Sequence, residues 1–272
     1  MTIDRTNDEK DLSLWFESHQ KPEGSIEVRS YILSDDKYSK LEEFLVHAIP
    51  DCYISKENIS ARVNVANLTA SEILKNKLPD TGSVMSGDFG EILTLFYLGS
   101  ERSETIKKVK KWRYKQDRQK PIPHSDVIIL YRESSTHSSD KDFVICAESK
   151  AKATESKYYR PIEKSISGYV SDSTGRLART LVWLKEKAID HENLESREFI
   201  TRFTDHHLNK GYNKFYRAVA IIDRSLLDDE LLHPLNLPPQ NDEFEVVVIG
   251  IKDLKNLYER SFSRAINEVV HE

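Results

Sequence analysis

The sequence predicts an α/β protein in which a mixed central sheet is flanked by helices. Two observations predict it. Strand-like apolar runs recur through the chain, as HSDVIILY (124–131), FVICAESK (143–150), FYRAVAIID (215–223) and FEVVVIGI (244–251). Segments with helical spacing of apolar residues lie between and around them. No internal repeat is visible. The 272 residues, 38% hydrophobic and 31% charged, suffice for one large core beneath a heavily charged surface.

Taken in order, residues 1–24 are polar and read as loosely held. Val28–Leu33 is a predicted strand. Asp36–Ala48 has helical spacing, with Leu41, Phe44, Leu45 and Ala48 on one face. Ser71 caps a short helix through Leu78, and Pro79 ends it. In SGDFGEILTLFYLG, Ser86 or Asp88 is a cap, Glu91 falls in the first turn and Gly99 marks the stop. Little polar surface remains on that helix, so it is expected at the centre. Thr105–Lys115 reads as a strand. His124–Tyr131 and Asp142–Lys150 read as a hairpin around the polar turn RESSTHSSDK. Helices follow over Thr154–Val170, interrupted or started by Pro161, and over Gly175–Ile189. Phe215–Asp223 and Phe244–Ile251 are buried strands, and Lys252–Val270 is a final amphipathic helix.

Net charge is −5, which argues against coating nucleic acid by bulk attraction but leaves a local groove open. From Lys107 to Lys120 eight bases face one acid, with Trp112 and Tyr114 interleaved. Lys107, Lys108, Lys110, Lys111, Arg113 and Lys115 either track a phosphate backbone or form a solvated edge that blocks aggregation. No apolar run is long enough to cross a bilayer. MTIDRTNDEKDL lacks a signal-peptide h-region. Two cysteines, Cys52 and Cys146, are too few for a disulfide framework, so a reducing cytoplasm is expected.

The chemistry concentrates in FVICAESKAK. Side chains alternate faces along a strand, so Glu148, Lys150 and Lys152 share a face with Val144 and Cys146. In an antiparallel hairpin, Asp126 lands near Glu148 and Lys150. Two carboxylates so close repel unless a cation lies between them. Hard oxygen ligands suit Mg²⁺, or Mn²⁺ in its place. Such an ion activates water and takes charge from a phosphoryl oxygen, and Lys150 holds the water or the phosphate. An E-x-K pair is also commonplace as a surface ion pair. The ordered set of helix with Glu91, strand with Asp126, turn, E-x-K and helix is what lifts it above that.

PHSD (123–126) followed by ESK (148–150) resembles the PD-(D/E)xK nuclease motif, with Ser125 where the strict pattern has Pro before the acid. GDFGEILTLFYL, HSDVIILY and FVICAESKAKA resemble more narrowly the family of HamA, the nuclease effector of Hachiman anti-phage defence, and the related AbpA. The resemblance implies a restriction-endonuclease-like core over residues 81–272, with residues 1–80 as an extension packed on it. It implies a metal-dependent DNase restrained by a superfamily 2 helicase partner, HamB. Residue by residue, Asp126 and Glu148 match the metal-binding carboxylates and Lys150 the motif lysine. Glu91 matches an acid of the first core helix that completes the metal shell, or is a helix-start acid favoured by the macrodipole.

Other candidates are thinner. Lys152 reaches phosphate or is solvated. Asp88 is a cap. His124 shares the Asp126 face if its strand starts early. Tyr158, Tyr159 and Arg160 clamp nucleic acid or pack a helix. His206 and His207 point apart on a helix and complete no zinc site. No ATP-binding or serine-hydrolase motif is present. The alternative to a nuclease is a catalytically inactive module of the same fold that binds DNA or a helicase.

Overall fold

A computed structural model describes residues 5–204 and 211–269. Seven strands form one sheet: β1 (Phe16–Ser18), β2 (Arg29–Leu33), β3 (Lys107–Lys108), β4 (Val127–Tyr131), β5 (Phe143–Lys152), β6 (Asn213–Asp223) and β7 (Phe244–Ile251). Their order is β1-β2-β7-β6-β5-β4-β3. The centre β2-β7-β6-β5 is parallel, and both edges are antiparallel. The mixed sheet expected from the sequence is therefore present. Its central strands are buried on both faces, which explains why VVVIGI and AVAIID do not alternate.

Ten helices surround the sheet among the described residues: α1 (Arg5–Asp11), α2 (Tyr38–Tyr53), α3 (Lys56–Ala66), α4 (Ala70–Lys75), α5 (Ser83–Ser100), α6 (Pro161–Ser171), α7 (Leu177–Asp190), α8 (Leu194–Thr204), α9 (Leu227–Leu232) and α10 (Leu254–Glu268). One face of the sheet packs on α5, α2, α4 and α10 through Ile129, Ile145, Ala147, Val219 and Val247. The other packs on α6 and α9 through Ala218, Ala220 and Val248, and on α7 and α8 through Ile128, Val144 and Cys146. The two faces of β5 thus separate into two cores, as alternation demands. Both cysteines are buried and free. No described helix is long and apolar enough to cross a membrane.

Four expectations need correction. Residues 12–18 are not loose: Leu12, Trp15 and Phe16 are buried, and β1 closes one edge of the sheet. Three apolar side chains in a polar run were enough to anchor it. α5 starts at Ser83, a turn earlier than read, so Glu91 sits in its third turn. The macrodipole reading of Glu91 falls with that shift, because the effect fades beyond the first turn. Thr105–Lys115 contributes only two strand residues, then a 3₁₀ turn over Lys111–Tyr114. α4 is capped by Thr69, not Ser71, through a capping box with Glu72.

Candidate active site

Val127 pairs with Ala147 and Ile128 with Cys146, which sets Asp126 beside Glu148. The Asp126 carboxylate accepts from the Ser149 N–H at 3.0 Å and from Lys150 Nζ at 3.1 Å. Lys150 Nζ also lies 2.5 Å from Glu148 Oε1. One ammonium group is thus shared by two carboxylates from neighbouring strands. Ser149, on the opposite face, hydrogen-bonds Thr94 of α5 at 2.9 Å and pins the strand to that helix.

Glu148 points toward α6. A Cβ added at Gly168 would lie 2.1 Å from Glu148 Cδ, so glycine here is what lets this carboxylate keep its rotamer beneath the helix. Gly168→Ala is expected to cost roughly 1–3 kcal/mol through overpacking and to push Glu148 off Lys150. A urea melt of the variant checks this; a midpoint equal to wild type refutes it.

Electrostatics separate the two acids. Burial opposes ionisation of Asp126, but Lys111, Lys150 and the Ser149 N–H outweigh it and hold its carboxyl below the usual range. Burial and the Asp126 charge push Glu148 up, against Lys150 and Arg176. Burial disfavours the Lys150 charge, yet Asp126 and Glu148 together raise its pKa. Paired acids with divergent pKa values in one place are a mark of functional sites.

Arg176, Asp172 and Thr180, which the sequence reading did not single out, complete the cluster around Ser125 and Glu148. Arg176 donates to Glu148 Oε2, to the Gly168 carbonyl at 3.0 Å and to Asp172 Oδ1 at 2.7 Å. Asp172 in turn accepts from Ser125 Oγ at 2.6 Å, and Ser125 also bonds Thr180. Ser125, at the position that departs from the strict motif, ties the Asp126 strand to α7. Arg176 ends a π turn over Asp172–Arg176, where Gly175 takes φ 140°. The available signal was the i, i+4 spacing of Asp172 and Arg176.

Glu91, on α5, lies 3.2 Å from Lys111 Nζ, and Lys111 Nζ lies 3.9 Å from Asp126. Burial pushes the Glu91 carboxyl up, Lys111 pulls it back, and the Asp126 and Asp88 charges push it further. Asp88 is not a cap. It is buried inside α5 and accepts from Tyr53 and from Lys115 Nζ, the latter at 2.5 Å. His124 precedes β4 and stacks on Trp183 at 4.3 Å. Tyr158 is 90% exposed. Burial dominates the rise in the Tyr159 pKa, with Lys150, Asp126 and Glu148 also acting on the phenol. Arg160 is bound to Glu230 at 2.9 Å. His206 and His207 lie outside the described residues.

The basic stretch is not a bare track. Lys107 bonds Ser196 at 3.1 Å and rests over Phe199, Lys108 pairs with Glu9 at 2.7 Å, and Lys110 and Arg113 both hold Asp51. Lys111, Lys115 and Lys152 are inside the protein, on Glu91, Asp88 and Glu230. A buried lysine offers no face to a phosphate, which corrects the phosphate-track expectation for Lys111 and Lys115, and both readings of Lys152, as reaching phosphate or as solvated. Trp112 is core, and Tyr114 packs edge-on against Trp183.

In donor type, Asp126 and Glu148 fit a hard divalent cation: they are buried, oxygen-only and already share one positive group. Mg²⁺ ordinarily takes one or two carboxylates and keeps waters. Among the described residues no three acid, histidine or cysteine side chains are arranged to hold a metal.

A mixed α/β sheet with an acid on one strand and E-x-K on its antiparallel neighbour is compatible with a restriction-endonuclease-like core. The chain belongs to the HamA family: that family's model matches residues 9–265. Membership makes it a protein associated with Hachiman anti-phage defence. No curated protein matches it.

Proposed function

We propose that the chain is a metal-dependent DNA endonuclease of low sequence specificity, the effector of a Hachiman-type complex in which a superfamily 2 helicase restrains it. The observation that carries this reading is the shared ammonium: Asp126 and Glu148, from adjacent strands, meet on Lys150. Asp126 and Glu148 would hold Mg²⁺, with Mn²⁺ able to replace it. When bound, the ion supplies Lewis-acid charge and a water of lowered pKa. Asp126 is kept ionised by Lys111, Lys150 and the Ser149 N–H, and the last also orients it. Arg176 and Gly168 fix the rotamer of Glu148. Lys150 donates from its ammonium to the attacking water or to a phosphate oxygen. Family membership supports the defence role, and the helicase partner and DNA substrate rest on it alone.

One observation favours the second reading, an inactive module of the same fold: Asp126 and Glu148 already have cationic side-chain partners. Purified protein incubated with supercoiled plasmid and Mg²⁺ separates them. The nuclease reading expects a smear that EDTA abolishes. An intact plasmid under every metal tested, with DNA or helicase binding indifferent to EDTA, would support the inactive module. Discrete fragments would instead indicate a sequence-specific endonuclease.

A further inference from the structure

Lys111 is only 4% exposed, in a stretch whose sequence looks like surface. Its ammonium donates to the Ser125 carbonyl at 3.0 Å, lies 3.2 Å from Glu91 Oε2 and stands 3.9 Å from Asp126 Oδ1. The turn that carries it is fixed on both sides. Trp112 is buried beside Tyr53, and Arg113 grips Asp51 through its carbonyl and carboxylate. Lys111 therefore has little freedom to leave. Asp126 turns Oδ1 toward Lys111 and Oδ2 toward Lys150, so it sits between two ammonium groups. Among the described residues Glu91 makes its ion pair in the cluster with Lys111, and it feels the Asp126 charge as well.

We propose that Lys111 is a resident cation of the site, filling the gap between Glu91 and Asp126 that a second divalent ion would otherwise occupy. The protein then binds one metal ion, on Asp126 and Glu148, and Glu91 serves Lys111 rather than the metal. This rests on the nuclease reading above. A buried lysine is retained where its charge is matched. A second divalent ion placed against that fixed ammonium would meet strong like-charge repulsion. Lys111 acts through Asp126 from the Oδ1 side, opposite the Oδ2 that accepts from Lys150 and the Ser149 N–H, and is a positioning residue.

Mn²⁺ binding to the full-length chain tests this, counted by calorimetry and by the electron paramagnetic resonance of free Mn²⁺. Wild type should bind one Mn²⁺, and Glu148→Gln should abolish it. Lys111→Met, which keeps the length and removes the charge, should bind two, and Lys111→Met/Glu91→Gln should return to one. Lys111→Arg should stay at one. Two ions in the wild type, or one in a Lys111→Met variant with native near-UV circular dichroism, overturns the proposal. If Lys111→Met does not fold, Glu91→Gln decides: retained binding of one ion supports the assignment, and loss of binding like that of Glu148→Gln places Glu91 on the metal and ends it. Wild type that binds no Mn²⁺ at all overturns the metal reading beneath this one as well. A wrong ion count alone leaves the nuclease reading standing.

Discussion

Glu148→Gln is expected to lower Mg²⁺-dependent plasmid cleavage by about 1,000-fold, roughly 4 kcal/mol of barrier, with the fold intact. Glutamine keeps the shape under Gly168 but removes the charge that an ion needs. Lys150→Ala should cause a loss of similar order by removing the cation that, among the described residues, pairs with both carboxylates. The reason to expect folded variants is that no charge is stranded. Without the Glu148 charge, Lys150 still has Asp126 and Arg176 still has Asp172. Without Lys150, Asp126 retains the Ser149 N–H and Glu148 retains Arg176. Nicking and linearisation of plasmid over time, beside thermal melts of each variant, provide the measurement. Cleavage at the wild-type rate in both variants would move the chemistry elsewhere.

The largest loss of stability is expected at Asp142, far from the chemistry. It lies at the start of the hairpin's second strand, fully buried, and accepts from Arg202 Nε at 2.5 Å and from the N–H groups of Glu133 and Ser139 at 2.9 and 3.1 Å. Arg202 is itself buried and also donates to the Ser139 carbonyl. Asp142→Ala leaves that guanidinium without its counter-charge, and the loss should be roughly 3–5 kcal/mol. Asp142→Ala/Arg202→Met should recover part of it, because a hydrophobic replacement strands no charge. Urea unfolding of the three proteins gives the comparison, and a double variant no better than the single one would refute the account.

The same carboxylate has a pH signature. Burial raises its pKa, but the two N–H groups and Arg202 prevail, so its folded value lies below its unfolded one. A depressed folded pKa contributes stability that is complete above the unfolded Asp value of about 3.9 and is lost as pH falls through the folded value. Asp142→Asn should therefore shrink the difference in stability between pH 7 and pH 3. An unchanged difference would exclude Asp142 as a source of acid lability.

Much of the sheet could be read from the chain. FEVVVIGI is β7 residue for residue, and the hairpin of β4 and β5 pairs as its turn length predicts. Long apolar runs have no other place in a folded protein, and β-branched residues favour the extended form. α3, α8 and α9 were missed because short or mostly polar helices carry little periodic signal. The 3₁₀ turn at Lys111–Tyr114 was misread because a basic run with interleaved aromatics alternates like an edge strand. Trp112 and Lys111 turned inward instead, since α2 and α5 offered apolar surface to one and carboxylates to the other.

Alternation along a strand is a local geometric rule, so the common face of Glu148 and Lys150, and the approach of Asp126 across an antiparallel hairpin, were legible before any coordinates. Which acid each base would find was not. Lys111, Lys115 and Lys152 sit in runs that look solvated, and they become interior only because Glu91, Asp88 and Glu230 arrive from α5 and α9. Arg176 reaches Glu148 only because a turn at Gly175 brings α7 back over the sheet. Pairing between charges distant in sequence is decided by packing. Burial makes such partners obligatory, because an unmatched charge in the interior would cost more than the fold has to spare.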